Sequence, residues 1–270
     1  MKRKFQLPSM MPRREVKVPR CADLSDKPCR VPAPERVIKM LGDSPIVVGV
    51  DIETHDWTTT RGSSGTYGQF GFYTRCDSDI HDARIVQIGW AVLDGDKAPE
   101  VKERTVKPDG FAIADKATRF HGIAQEDALQ NGANLADVMA EFISDIFTLA
   151  EKGAKVVIHH LEFDATIISR ELERVGLTWA QETWARIARA GVCTMDPGIG
   201  KWLRESSAME IANSFNANTL KLVDVAEAVG VQAKSVDGRL HAAGFDARLH
   251  ASVYRALVTK AKDSLVCLAN

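Results

Sequence analysis

Two carboxylates stand two residues apart in the segment 50–54, which reads VDIET and follows an apolar run. Alternate side chains of a β-strand share a face, so Asp51 and Glu53 would point the same way while Ile52 packs behind them. Two carboxylates held that close repel each other unless a cation lies between them, and oxygen ligands suit hard divalent cations. The pair indicates either part of a divalent-metal site or the acidic start of a solvated loop.

A third carboxylate, Asp164, ends the segment 159–164, HHLEFD, which lies between an apolar run and a helical pattern. This position is at the edge of the predicted sheet, where open α/β sheets tend to bind ligands. Asp164 also belongs to the expected first turn of a helix, where a carboxylate stabilises the helix dipole. Taken alone, the residue is compatible with both roles.

His241 and Asp246 form a fourth candidate element at the start of the last predicted helix. On a continuous helix, five residues at about 100° each would put the two side chains roughly 140° apart. Gly244 between them allows an irregular turn, so that His241 on the preceding loop and Asp246 in the first turns reach one site. A histidine there suits a general base, because its pKa lies near neutrality. A core or surface histidine is the alternative.

Four apolar segments predict the strands that would hold these residues. The first, 46–50, is short and rich in β-branched residues, as a buried central strand would be. Further strands are expected over 84–93, 101–106 and 155–159. We expect the first three strands to form an antiparallel meander.

Helical periodicity dominates the later part of the chain. Apolar residues recur at helical spacing over 135–150, which predicts an amphipathic helix facing a core. Helices are also expected over 163–175 and 220–229, each closed by a glycine, and over 245–260. Strands clustered early and alternating with helices later predict an α/β domain with a mixed central β-sheet flanked by α-helices.

Taken in order, the acidic segments resemble the three exonuclease motifs of the DEDDh branch of the DnaQ-like 3′→5′ exonuclease superfamily, which has a ribonuclease H-like fold. The first motif, Asp-x-Glu-Thr at a strand end, is met by 51–54, and the second, Phe-Asp before a helix, by 163–164. The third, a His and an Asp-Ala pair with four residues between, is met by 241–247. Segments 84–89 and 121–123 are similar to the family's second strand and its His-Gly-Ile turn.

The resemblance implies a metal-dependent reaction. Asp51, Glu53 and Asp246 would bind one Mg²⁺ or Mn²⁺ ion. Asp51 and Asp164 would bind a second, and His241 would activate the attacking water. Two ions a few ångströms apart would stabilise the attacking and leaving oxygens. The reaction would hydrolyse the phosphodiester bond at the 3′ end of single-stranded DNA or RNA and release a nucleoside 5′-monophosphate.

The resemblance also implies which residues lie beside the terminal nucleotide: Thr54, His55, His121 and Phe163, the last of which would help to pack the site. Two positions depart from the family's pattern. His55 and Asp56 stand where a glycine commonly follows the threonine, and His160 stands where an asparagine is common. Neither position is a metal ligand in the family, so the departures affect the fit of the terminal nucleotide rather than catalysis.

The segment 57–83 is longer than the turn usually found at this point in the family. Its glycines alternate with aromatic residues, which predicts a long loop or an irregular hairpin. The aromatic side chains could stack on bases and Arg61 or Arg75 could contact phosphate, so that the insertion forms a flap near the substrate. Alternatively, the aromatic side chains only fold the loop onto the domain.

Composition is typical of a soluble globular protein: 270 residues with 45% hydrophobic and 26% charged residues. We expect one catalytic domain over 46–265. No apolar stretch approaches the roughly 18 to 20 residues that span a bilayer, and no signal-peptide core is present, so a cytoplasmic or nuclear protein is expected. The five cysteines are scattered without a Cys-x-x-Cys pair, which predicts reduced thiols rather than disulfides or a zinc site.

The net charge of −1 conceals a segregation of charge along the chain. Residues 1–45 contain 11 Lys and Arg against 5 Asp and Glu, whereas the remainder contains 24 against 31. The first segment has several prolines and no apolar periodicity, which predicts a disordered basic tail. The tail could hold nucleic acid by phosphate contacts, provide a targeting signal at 2–4, or be a solvated leader without a role of its own.

Three functional classes share these features. An active exonuclease is favoured, because all four carboxylates and the histidine are present. A nucleic-acid-binding module that has lost activity would be expected to lack a ligand. A ribonuclease H-type endonuclease would share the fold and the metals but gives no reason for His241 at this spacing. The sequence favours neither DNA nor RNA as substrate, and no oligomeric state.

Overall fold

The computed structural model describes residues 34–56, 83–206, 220–233 and 241–269. Five strands of this part form one sheet: β1 (Ile46–Thr54), β2 (Ile85–Asp94), β3 (Glu100–Thr105), β4 (Lys155–Ile158) and β5 (Val192–Cys193). Their order across the sheet is β3-β2-β1-β4-β5. The first three strands form an antiparallel meander, while β4 runs parallel to β1 and β5 runs parallel to β4. The mixed α/β sheet predicted from the sequence is confirmed.

The described helices are α1 (Pro34–Leu41), α2 (Asp115–His121), α3 (Gln125–Asn131), α4 (Leu135–Glu151), α5 (Leu161–Arg174), α6 (Thr178–Ala190), α7 (Pro197–Ser206), α8 (Leu222–Ala228) and α9 (Ala243–Ala269). Predicted helices coincide with α4, α5 and α8, and α9 continues past its predicted end at 260. Gly176 and Gly230, just beyond α5 and α8, have φ of 78° and 75°. These left-handed conformations explain why glycine ends both helices.

Alternation along β1 divides the core between the two faces of the sheet. Val48, Val50 and Ile52 pack in one cluster with the apolar faces of α4, α5 and α6. Val47 packs in a second cluster with α1, α7, α8 and α9. Because side chains alternate between faces, the odd-numbered positions of β1 lie on the side that α9 covers. Asp51 and Glu53 are among those positions.

The helix α1 corrects the expectation that folded structure begins at 46. Val37 and Leu41 are fully buried in the cluster that contains α9, and the Tyr254 hydroxyl donates to the Leu41 carbonyl at 3.2 Å. A helix of two turns is not stable by itself, so its stability comes from this packing. Lys262 also pairs with Asp43. The sequence around α1 is short, charged and contains prolines, so it did not indicate that this segment packs against α9.

Two expectations fall outside the described residues: the disordered basic tail, as far as it concerns 1–33, and the insertion over 57–82. Among the described helices, none is both long and apolar enough to cross a membrane. Within the described part, Cys193 and Cys267 are free thiols.

Candidate active site

The carboxyl end of β1 carries Asp51 and Glu53 on the sheet face that α9 covers. The Asp51 side chain is 16% exposed and Glu53 is 8% exposed. Ile52 between them belongs to the core on the opposite face. The two carboxylates therefore share a face, as the alternation along the strand predicted.

Asp164 and Asp246 come to the same place from two helices. Asp164 lies in the first turn of α5 and Asp246 in the first turn of α9, and both are buried. The pKa of Asp51 is raised well above its ordinary value by burial and then by repulsion from Glu53, Asp164 and Asp246. Repulsion of this kind acts over a few ångströms. Four carboxylates from three distant segments thus form one cluster.

Burial and mutual repulsion hold these carboxyl groups far from their ordinary pKa values. Burial, followed by repulsion from Asp246, Asp164 and Glu103, raises the pKa of Glu53 to about 9. Burial raises the pKa of Asp246 to about 6, although the backbone N–H of His241 lowers it. A divalent cation among the carboxylates would reverse these shifts, because it stabilises their charged forms.

The donor atoms of the cluster fit such a cation. Asp246 Oδ2 accepts a hydrogen bond from the His241 N–H at 3.1 Å, whereas the buried Oδ1 accepts none from the described residues. One ligand atom each from Glu53, His241 and Asp246 lie within 4.8 Å of one another. Carboxylate oxygens in this arrangement are the ligands that Mg²⁺ and Mn²⁺ prefer.

His241 occupies a turn immediately before α9, with a φ of 71° that is uncommon for a residue other than glycine. Its ring stacks on the ring of Phe120, with centroids 3.8 Å apart. Burial lowers the pKa of His241, so its imidazole is neutral near pH 7 and can accept a proton. The sequence predicted His241 on the turn before the helix and Asp246 in its first turns, and the structure has both there; Gly244, which was expected to allow the turn, belongs to the first turn of α9.

Two glycines allow α9 to approach the sheet closely enough to deliver Asp246. A Cβ on Gly49 in β1 would overlap the carbonyl oxygen of Ala247, and a Cβ on Gly89 in β2 would overlap the backbone of Ala243 and Gly244. The helix backbone therefore lies directly on the strands at these positions. Sequence reasoning missed both glycines. A glycine inside an apolar strand is the signal that could have found them.

A buried ion-pair cluster supports the junction between β1 and β2. Glu171 of α5 is fully buried and accepts hydrogen bonds from Arg84 Nε and the Ile85 N–H, both at 3.0 Å. The Arg84 guanidinium also lies over the ring of Phe111, 4.6 Å from its centroid. This cluster was missed as well, although Glu171 interrupts the apolar face of α5 next to Leu172.

A buried histidine lies behind Asp51. His250, one turn after Asp246 on α9, is 1% exposed. Its Nδ1 is 2.8 Å from the Val50 carbonyl oxygen, so Nδ1 donates to that oxygen, and its Nε2 is 3.7 Å from Asp51 Oδ1. Burial lowers the pKa of His250 to about 3, which keeps the ring neutral. The sequence reading did not single out this residue, although its spacing of four from Asp246 puts it on the same helix face.

Several solved structures share the fold, and three of them illustrate the likeness. Exonuclease I matches with a TM-score of 0.59 and 15% identity, over 83% of this chain and 43% of that chain. The Mg²⁺- and Mn²⁺-bound form of S. pombe Pop2p matches with a TM-score of 0.56 and 17% identity, over 86% of this chain and 89% of that chain. The nuclease domain of 3′hExo, a DEDDh family member bound to rAMP, matches with a TM-score of 0.50 and 14% identity, over 82% of this chain and 94% of that chain. This chain therefore spans less than half of exonuclease I, and the likeness establishes the ribonuclease H-like exonuclease fold.

The sequence itself matches a nuclease family. Residues 72–195 match the exonuclease family RNase_T. The matched segment is less than half of the chain and resembles an exonuclease domain. It includes Asp164 but not the first or third motif, so the other candidate residues depend on the geometry described above. No curated protein sequence matches the chain.

Two of the expected substrate residues lie next to the carboxylates. Thr54 follows Glu53 directly, and its hydroxyl donates to the Asp56 carbonyl at 3.0 Å. His121 ends α2, and the Thr54 backbone and the His241 ring both affect its pKa, which burial lowers. Thr54 and His121 thus lie together beside His241.

The other two expected substrate residues, His55 and Phe163, contact the strand junction and the core. His55 Nδ1 accepts from the Arg84 N–H at 3.2 Å, and the His55 ring packs edge-on against Phe111. Phe163 packs against the core and against the ring of His160 at 5.6 Å. For His55, one ring nitrogen is therefore committed to the backbone that leads into β2.

Proposed function

We propose that this protein is a metal-dependent 3′→5′ exonuclease that removes nucleoside 5′-monophosphates from the 3′ end of DNA or RNA. The observation that carries the proposal is the meeting of carboxylates from distant segments: ligand atoms of Glu53, Asp246 and His241 lie within 4.8 Å of one another. Asp51 interacts with Glu53, Asp164 and Asp246. A cluster of like charges in a buried position is costly without a cation. The proposal therefore rests on what the arrangement requires as well as on the family.

The carboxylates would hold two divalent cations, Mg²⁺ or Mn²⁺. Asp51, Glu53 and Asp246 would bind one ion, and Asp51 with Asp164 the second. The unpartnered Oδ1 of Asp246 supports this assignment. When bound, the ions would supply the positive charge that stabilises the phosphodiester as it is attacked.

His241 would act as the general base. Its neutral imidazole would accept a proton from the attacking water as the water oxygen forms a bond to phosphorus. The bond from phosphorus to the O3′ of the preceding nucleotide would break, and this oxygen would take up a proton from solvent, which leaves a 3′-hydroxyl on the shortened strand. The lowered pKa of His241 supports the role, because a base must be deprotonated before it can act.

The terminal nucleotide would lie against Thr54 and His121, with His55 and Phe163 forming the adjacent walls. The proximity of His121 to both Thr54 and His241 supports this placement. Nucleic acid with a free 3′ end is therefore the proposed partner.

The test is a digestion panel with the full chain and Mg²⁺. Single strands of DNA and of RNA labelled at the 5′ end should shorten one nucleotide at a time, with mononucleotides as the other product. Strands with a blocked 3′ end, and closed circles, should remain intact. Cleavage of circles would identify an endonuclease and overturn the proposal.

A matched pair of variants ties the activity to the cluster. Asp246→Asn should abolish release, whereas Asp263→Asn on an exposed part of the same helix should leave it unchanged. Release by Asp246→Asn at the rate of the parent would remove the carboxylate cluster from the reaction.

A further inference from the structure

The first turn of α9 is capped from the sheet. The Ala243 N–H donates to Gln87 Oε1 of β2 at 2.9 Å, and the Gly244 N–H donates to Glu103 Oε2 of β3 at 2.8 Å. The first N–H groups of a helix lack partners within the helix, and a residue just before the helix usually supplies them. Here the acceptors come from distant strands, so capping also fixes where the helix begins on the sheet.

Steric contacts fix the same turn. A Cβ on Gly244 would lie 2.9 Å from Glu103 Oε2 and 3.2 Å from Val101 Cγ1, both on β3. Gly89 lies under the same turn on β2, where a side chain would overlap Ala243 and Gly244. The turn is held between two strands, and Glu103 is its contact on the edge strand.

The pairing of the strands links this turn to the carboxylate cluster. Gln87 pairs with Glu53 of β1 on one side and with Thr105 of β3 on the other. The residue that caps Ala243 therefore lies opposite a proposed metal ligand. Asp246 comes three residues after Ala243 on the same helix. The hydrogen bond from Ala243 to Gln87, together with the pairing of Gln87 with Glu53, therefore determines where Asp246 lies relative to Glu53.

We propose that Glu103 is a positioning residue of the active site, which holds the first turn of α9 against β3 so that His241 and Asp246 face Asp51 and Glu53. The inference rests on the proposed function of that cluster. Glu103 acts through its hydrogen bond to Gly244, which Oε2 accepts at 2.8 Å. The residue is exposed on its outer side, so its removal leaves no cavity in the core.

The test compares Glu103→Ala, which removes the acceptor, with Glu103→Gln, which keeps an oxygen acceptor and removes the charge. Glu100→Ala, an exposed position on the same strand, is the control. In the metal-free chain, the Gly244 amide of Glu103→Ala should exchange with solvent about fivefold faster, as expected for the loss of one hydrogen bond. The amide should keep the parent rate in Glu103→Gln and in the control.

With Mg²⁺ and a 3′-hydroxyl single strand, Glu103→Ala should lower kcat roughly tenfold, the size of effect usual for residues that orient metal ligands. Its KM should stay near that of the parent, and Glu103→Gln should recover most of kcat. A role in folding alone would lower the melting temperature without this change in kcat or its rescue by glutamine.

Two results would overturn the inference: Gly244 exchange unaffected by Glu103→Ala, or glutamine and alanine variants equally impaired in kcat. An inactive parent would overturn the proposed function instead. In that case the exchange measurement would still report whether Glu103 holds the turn.

Discussion

Asp51 and Gly89 lie directly opposite each other in the antiparallel pairing of β1 and β2. A proposed metal ligand thus has, as its cross-strand neighbour, the residue on which the backbone of Ala243 rests. Any side chain at 89 would lift the start of α9 away from the sheet. Asp246 lies in the first turn of that helix. The size of the side chain at position 89 therefore controls how close Asp246 comes to Asp51 and Glu53.

Gly89→Ala is expected to displace α9. The added methyl should destabilise the fold by about 1–3 kcal/mol and lower the exonuclease rate by roughly 100-fold, because a small misplacement of catalytic groups is costly. The measurements are urea unfolding and nucleotide release. Gly110→Ala is the control, since an added Cβ there meets no neighbour and only the left-handed φ of 74° is strained. It should keep full activity, and an equal loss in both variants would contradict the argument.

The stability of the metal-free chain should fall as pH rises. The folded pKa of Glu53 is raised from 4.5 to about 9, so the folded state binds the proton more tightly than the unfolded state does. The resulting stability is complete below about pH 4.5 and is lost as the pH rises toward 9. Melting temperatures recorded with a chelator should therefore decline over this interval.

Magnesium should reverse that trend. Cation binding favours the ionised carboxylates, so stabilisation by Mg²⁺ should grow with pH, and the melting temperature in excess Mg²⁺ should exceed that in chelator most at the alkaline end. Asp246→Asn should reduce both the decline in chelator and the gain in Mg²⁺. A melting temperature independent of pH and of Mg²⁺ would argue against a cation site.

His241→Ala should separate catalysis from cation binding. Loss of a general base should lower kcat by about 10²- to 10⁴-fold, while the four carboxylates still bind Mn²⁺ with an affinity close to that of the parent. Titration with Mn²⁺ and single-turnover digestion measure the two effects independently. A parallel collapse of Mn²⁺ affinity would make His241 a ligand, and an unchanged rate would exclude it as the base.

Glu171 should contribute strongly to the free energy of unfolding, because it is the buried acceptor of two hydrogen bonds. Glu171→Leu would leave the Arg84 guanidinium and the Ile85 N–H without their buried acceptor, at a cost of about 3–5 kcal/mol in the free energy of unfolding. Glu173→Leu on the same helix, whose pair with Arg170 is partly exposed at 30% and 37%, should cost less than about 1 kcal/mol. Urea unfolding measures both variants. Similar decreases in their free energies of unfolding would contradict the conclusion that the burial of Glu171 makes it important for stability.

Much of this architecture is encoded locally. The alternation around Asp51 and Glu53 determined their common face, and the helical periodicity over 135–150 matches α4 almost residue for residue. The turn before α9 was expected, with His241 on it, as the structure has it. These features depend on neighbours within a few positions, which is the range over which a sequence pattern is informative.

Other features depend on partners far along the chain. Glu103 looks like an ordinary charged residue of an edge strand until α9 is placed beside it. Gly89 has no turn or left-handed φ to explain it, because the reason is the backbone of Ala243. The helix α1 is stable only where α9 offers its apolar face. Such relationships arise from tertiary packing, and local patterns carry little information about them.

The hydrogen bonds between His55 and Arg84 have a further consequence for the topology of the chain. The His55 N–H donates to the Arg84 carbonyl at 2.9 Å, and the Arg84 N–H donates to His55 Nδ1 at 3.2 Å. These hydrogen bonds therefore hold the end of β1 next to the start of β2, whatever residues connect the two strands. Lengthening that connection adds only about 0.6 kcal/mol of closure entropy for each doubling. The junction is thus a natural place to graft a foreign module, or to open the backbone for circular permutation, without changing the register that sets Glu53 opposite Gln87.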